Sequence, residues 1–459
     1  MMLVRMDHTP RPRGSPNTGP TRTTMRPRRL SPPVRRTTRR WRTPPAILHG
    51  GEPFEGVAVL EEVRSPLGLL LFQVIRDVYL WGSTPPEQRA GLFEPHAEDV
   101  LITILRENDP EVQLESALMA LIRMAGSPES AREEQVALAC QHVAHWADSH
   151  GHTGTAISFA QGAAVVLPAD AATSYAVGRL ARHRAEYARA ETWYRRAVAL
   201  ARQSGDWSSY AMAFAGLGNL NMQRGNFPAA RRFHLRALRS ARRHSMRPLH
   251  GSALHDLFVI AAQTGRHSDD PERLAREAFE MYGPEHARLA HLAGDVAYFW
   301  MERGRFAPAL TVFQALVHHM QRLEHRLGVL ANMVRAAAGT GERRLFDQTW
   351  DEVWDRVQRT QGLANEATLM VELARGAAML AEYERAERAA ERAVHVARER
   401  GEARTLFEAE AVLDQARRRR AVRPRTAAAD PEMEPEVAAR AETFALDLVR
   451  TLNASLVGR

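Results

Sequence analysis

The sequence predicts an all-α fold: a solenoid of helix-turn-helix repeats behind an N-terminal helical layer. Three observations predict it. Four segments align without gaps: RAEYARAETWYRRA (184–197), RGNFPAARRFHLRA (224–237), RGRFAPALTVFQAL (303–316) and LAEYERAERAAERA (380–393). Each carries an aromatic residue (Tyr187, Phe227, Phe306, Tyr383), a small residue three positions later, and an apolar residue seven beyond that. Outside these segments apolar residues recur at helical spacing, and no run alternates long enough to count as a strand.

In chain order, residues 1–46 come first, with twelve Arg against a single acid, Asp7. Rich in Arg, Pro and Thr and with almost nothing apolar to bury, this segment reads as a disordered tail. It is a start-site extension with Met6 or Met25 as the true start, an inert tail, or an arm that binds phosphate by counterion release. The remaining 413 residues hold 50 Arg and 53 acids, so the formal charge of +8 belongs to the tail. Neither the tail nor Leu67–Trp81, the most apolar stretch, reads as a signal or a membrane span. The expected location is cytoplasmic, with no membrane partner.

Residues 47–130 read as an N-terminal helical region. Leu69–Leu80 is apolar nearly all round and is expected to be buried. Residues 87–125 read as amphipathic hairpins, with Val100, Leu101, Ile104 and Leu105, then Leu114, Leu118, Leu121 and Ile122, at helical spacing. The array spans 131–416, beginning with a copy that carries Ala144, Gly151, Ala156, Ala163 and Pro168. The register steps by 40, 79 and 77 residues, the two long steps each leaving room for one degenerate copy, at 264–278 and 341–353. Residues 402–416 would cover the open end. The segment 417–459 reads as a basic linker and an amphipathic helix with Val437, Ala441, Phe444, Leu448 and Leu452 on one face.

These units resemble the tetratricopeptide repeat family, with Leu217-Gly218 on a first helix, Gly225 in the turn, and Ala230 and Ala237 on the second. The spacing near 40 is similar to the long repeats of kinesin light chains and bacterial peptide-responsive regulators, although no helix-turn-helix precedes the array. The resemblance implies a right-handed solenoid in which the small residues let paired helices approach. It implies a non-catalytic scaffold or adaptor for a protein or peptide partner, in bacterial signalling or regulation. It also implies a concave groove lined by Arg179, Arg182, Asn219, Gln223, His255, Tyr298, Arg335 and Arg375. Arg forks to carboxylates, and Asn both donates to and accepts from a peptide backbone. The Lys clamp with which some family members hold acidic C-termini is not met; Asn219 alone matches it.

Composition narrows the chemistry. All 62 basic residues are Arg; the chain has no Lys. That excludes a Walker A loop, a Lys-dependent kinase site, a pyridoxal Schiff base and a Ser-Lys acylating site. A single Cys, Cys140, excludes a disulfide framework and reads as a small packing residue. His142, His145, His150 and His152 cluster around Asp148, but without the i, i+4 spacing and Glu of a zinc-binding helix they read as a solvated helix end. His318-His319 are adjacent and do not share a site. No catalytic residue, metal or cofactor is expected.

One further surface stands out. From Trp207 to His255 there are eight Arg and no Asp or Glu. Arg232, Arg236, Arg239 and Arg243 follow a 4-3-4 spacing and form a basic stripe on one helix face, opposite Ala230, Phe233, Ala237 and Ala241. Solvated faces usually mix signs, and this one does not. The alternative reading is therefore a nucleic-acid-associated protein that uses the stripe and the basic tails.

Overall fold

A computed structural model describes residues 56–108, 110–265, 270–360, 362–419 and 435–457. The 1–46 tail, residues 266–269 of the degenerate copy at 264–278, and the linker 420–434 lie outside the described residues. Among the described residues every regular element is helical.

The N-terminal layer contains α1 (Val57–Glu62), α2 (Leu67–Ser83), α3 (Ala97–Asn108) and α4 (Val112–Gly126). Leu70, Leu71, Val74, Ile75, Val78 and Trp81 of α2 are buried. They pack against α4 and against α6 (Thr153–Val166), which follows α5 (Glu133–Ser149). The expectation that α2 is buried all round needs correcting: Leu69 and Leu80 are 54% and 47% exposed. Neighbouring helices cover one side of α2, and an apolar sequence does not by itself supply a second covering layer. Glu62 ties the layer to the array, its carboxylate accepting the Gly154 and Thr155 amides at 2.7 and 2.8 Å. These are unpaired amides of the α6 N-terminus, which favours an anion.

The hairpins then follow in order: α7 (Ala171–His183) with α8 (Tyr187–Ser204), α9 (Trp207–Gln223) with α10 (Phe227–Arg243), and α11 (Arg247–Thr264) with α12 (Pro271–Tyr282). Next come α13 (Leu289–Glu302) with α14 (Phe306–Leu316), α15 (Leu323–Thr340) with α16 (Arg343–Arg359), and α17 (Glu366–Met379) with α18 (Tyr383–Arg400). Tyr187, Phe227, Phe306 and Tyr383 are each the first residue of a second helix, as the register requires. In the degenerate copy, α12 starts at Pro271, where Asp270 accepts the Glu272 amide at 3.0 Å. Helix length varies from 11 residues in α14 to 18 in α8, so repeat length is uneven along the array.

Small residues sit where paired helices approach. A Cβ on Gly218 would lie 2.3 Å from the His234 ring, and Ala230 and Ala237 are buried opposite α9. Close approach of this kind tolerates no added atoms. The end of the array is covered by α19 (Ala403–Arg417), through Ala409, Val412 and Ala416. The last helix, α20 (Pro435–Val457), packs against α13 and α14 rather than standing alone. Ala441, Phe444, Leu448 and Leu452 are buried in the array's largest core, with Phe444 edge-on to Phe279 and Trp300. Val437 is half-buried.

Candidate groove and basic face

Arg179, Asn219, Tyr298, Arg335 and Arg375 occupy one register position on α7, α9, α13, α15 and α17, each six residues before the left-handed residue of its turn. On α11 that position is Val259, and His255 stands one helical turn earlier. His255 on α11 and the column residues of α15 and α17 each reach an acid on the next first helix. His255 Nε2 lies 2.9 Å from Asp295, Arg335 donates to Glu372 at 3.0 Å, and Arg375 donates to Glu408 at 2.9 Å. Asp295 and Glu372 each stand one helical turn before the column residue of their own helix, so the pairs form a ladder from repeat to repeat. Arg335 also donates to Glu302 at 2.6 Å, and Arg375 to Glu372 at 2.6 Å.

This geometry corrects part of the sequence reading. Arg335 and His255, expected on the groove surface, are 4% and 1% exposed. Buried ionic groups require partners, and here the protein supplies them internally. Arg375 is half-buried and doubly paired; Arg179 is half-buried and pairs with Asp148 at 3.3 Å. Arg182 is half-buried beside Tyr194, Asn219 is half-buried, and Gln223 is exposed. Tyr298, 39% exposed, remains on the surface. Burial tends to raise Glu372, but Arg335 and Arg375 outweigh it and hold its carboxyl below the usual range. Burial, reinforced by Glu372 and Glu302, pushes the Tyr298 hydroxyl up, so it stays protonated.

Between α13, α15, α17 and α19 the first helices enclose an open cavity of about 360 Å³, lined among others by Tyr298, Asn332, Asn365, Thr368, Arg404 and Glu408. Its rim offers hydrogen-bond donors and acceptors. Sequence reasoning found Tyr298 and the flanking Arg335 and Arg375. It missed the acids and the Asn and Thr side chains between them. The Glu372–Arg375 pair, three apart on one helix, is the signal that was available.

Behind the groove, the His234 ring is fully buried against Gly218, with Nδ1 3.4 Å from Asp256, which pairs with Arg288 at 2.7 Å. Burial lowers His234, favouring the neutral ring. Asp256 is held down despite its burial by His234 and Arg288. Cys140 is also buried, and desolvation pushes its thiol up, away from the reactive thiolate. Near it in sequence, His142 and His145 are exposed, and His150 lies 3.1 Å from Glu111. Among the described residues no three His, Cys, Asp or Glu side chains gather in a metal-holding group.

On the second-helix side, Arg232, Arg236, Arg239 and Arg243 of α10 are all exposed. Opposite them Ala230, Ala237 and Ala241 are buried, and Phe233 is half-buried. None of the four arginines forms an ion pair among the described residues. Arg236 lies over the Phe214 ring at 5.4 Å, and Arg239 donates to the Leu235 carbonyl at 3.2 Å.

Residues 170–243 match the family model of the tetratricopeptide repeat, so α7–α10 are tetratricopeptide repeats. No curated relative matches the sequence. Among solved structures, the TPR2AB domain of yeast Sti1 in complex with pHSP90 is 14% identical, covering 62% of this chain and 99% of that one, with a TM-score of 0.24. A Rap protein complexed with Competence and Sporulation Factor is 10% identical, covering 85% and 98%, with a TM-score of 0.32. Scores this low carry neither a shared shape nor a shared partner to this chain. No described helix is long and apolar enough to cross a membrane.

Proposed function

We propose that this protein is a non-catalytic scaffold that binds an extended peptide segment of a protein partner, acting in bacterial signalling or regulation. The observation that carries this reading is the open cavity between α13, α15, α17 and α19, whose polar rim comes from four consecutive first helices. An extended peptide presents one N–H and one C=O per residue, and Asn332, Asn365 and Thr368 can answer both. The ion-pair ladder stiffens the floor beneath them, which lowers the ordering cost of binding. Asn219 and Arg179 extend the same surface toward α7.

The test is capture of partners by the tagged full chain, with nuclease present, read by mass spectrometry. Thr368→Arg blocks the cavity and should remove the specific partner, whereas Gln223→Ala, outside the cavity, should leave it. Asn219→Ala combined with Arg179→Ala should weaken capture if the peptide runs the length of the groove. Undiminished capture by Thr368→Arg would dismiss the cavity as the binding site.

A further inference from the structure

We propose that the outer face of α10, together with the Trp207–His244 pair, is a binding surface for single-stranded nucleic acid. Elsewhere on this molecule exposed arginines sit beside acids one turn away: Arg195 pairs with Glu191, Arg359 with Asp355, and Arg418 with Asp414. On α10 that arrangement is absent. Its four stripe arginines recur at about one per helical turn, spanning about 16 Å, with no acid in the sequence from Trp207 to His255. Such a row repels itself and attracts a polyanion.

A second, independent feature stands at the end of the row. His244 follows Arg243 directly, and its ring stacks on Trp207 at 4.7 Å with an interplanar angle of 9°. Trp207 is 36% exposed. A row of arginines ending on a partly exposed aromatic pair is the chemistry that holds a single strand, with phosphates along the cations and a base against the rings. Duplex bases are already stacked on one another and cannot use such a platform. A run of Asp and Glu would satisfy the arginines but has no ring to stack on the pair.

The test uses the full chain and a fluorescein-labelled oligouridylate, read by fluorescence anisotropy over a series of salt concentrations. The Arg-rich first 46 residues are common to every variant, so differences report on the stripe and the Trp207–His244 pair. A fourfold Arg→Gln variant at 232, 236, 239 and 243 should flatten the log–log salt slope by about 0.7 for each phosphate that the variant no longer neutralises. Trp207→Leu should weaken binding roughly five- to a hundredfold while leaving the slope unchanged. Circular dichroism melting of each variant confirms that the fold is retained, and His244→Ser probes the same platform should Trp207→Leu unfold. An unchanged slope in the fourfold variant would overturn the proposal. So would full affinity in the platform variant, or equal competition by polyglutamate of matched charge, which would assign the stripe to an acidic protein.

Discussion

On α10, Arg232, Arg236, Arg239 and Arg243 stand on the outer face without carboxylate partners among the described residues, and on α9 the inner column holds the uncharged Asn219. In α15, α17 and α19 the arrangement is reversed. There the inner column carries Arg335 and Arg375, and both are held by glutamates from neighbouring first helices. The two regions use the same helical hairpin, so the fold does not dictate where charge goes. In the ladder region Arg contributes to the architecture; on α10 Arg232, Arg236, Arg239 and Arg243 face outward, away from the core.

The largest effect should come from breaking the ladder. Glu372→Ala leaves Arg335 buried with only Glu302, and removing one partner of a buried ion pair costs about 3–5 kcal/mol. The matched change in the other region, Asn219→Ala, should stay within about 1 kcal/mol, as it removes no charge. Urea unfolding of both variants checks the contrast. Equal losses would mean that the two columns are not electrostatically different.

Next in size is the packing of α9 against α10. Ala230→Leu or Ala237→Leu overpacks the approach to α9 and should cost about 1–3 kcal/mol. Arg239→Glu, on the exposed face, should change stability by no more than about 0.5 kcal/mol. Similar losses at all three positions would contradict the helical phase of α10.

The register of α10 was legible in the sequence because it depends on residues three, four and seven apart. The aromatic markers fall on the first turn of their helices for the same reason. The groove was only half legible. Register places Arg335 on an inner face, but its partners Glu302 and Glu372 lie 33 and 37 residues away. Only three-dimensional packing shows that these carboxylates already occupy its guanidinium. The same limit applied to His234, which lies on the same helix as the predicted alanines yet fills the space Gly218 leaves. An apolar pattern likewise left undecided how much of α2 would be covered.

Acid should act on the two regions in different pH ranges. Burial lowers His234, so its neutral form is favoured by folding. Its contribution is complete above the unfolded value of about 6.5 and is lost as pH falls from there toward the folded value. Glu372 is held below its ordinary range, so its contribution is complete above the unfolded value of about 4.3 and is lost as pH falls through the folded value. Melting midpoints should therefore begin to fall just below pH about 6.5, partly through His234, with a further fall below pH about 4.3 through the ladder. His234→Leu should flatten part of the first fall; His183, His250, His286 and His291, also lowered by burial, keep the remainder. A variant that melts with the wild-type pH profile would show that His234 does not couple to stability.

The smallest expected effect tests whether the two regions share one backbone geometry. The turn between paired helices requires a left-handed residue, which is Gly225 at φ +70° after α9 but Ala185 at φ +61° after α7 and Ala381 at φ +60° after α17. An L-residue there costs about 1–2 kcal/mol in the folded state. Replacing it with Gly removes that strain but restores about 0.4–1 kcal/mol of unfolded-chain freedom. Strain is the larger quantity, so Ala185→Gly and Ala381→Gly should each stabilise by about 0.5–1 kcal/mol. Gly225→Ala should destabilise by a similar amount, since no neighbouring atom stands within 4 Å of the added Cβ and only the backbone is strained. Chemical denaturation reads all three. Equal gains at Ala185 and Ala381 would show that the repeat hairpin is the same beside the basic face and in the ladder. A gain at only one would mean that the difference between the regions reaches the backbone as well as the charges.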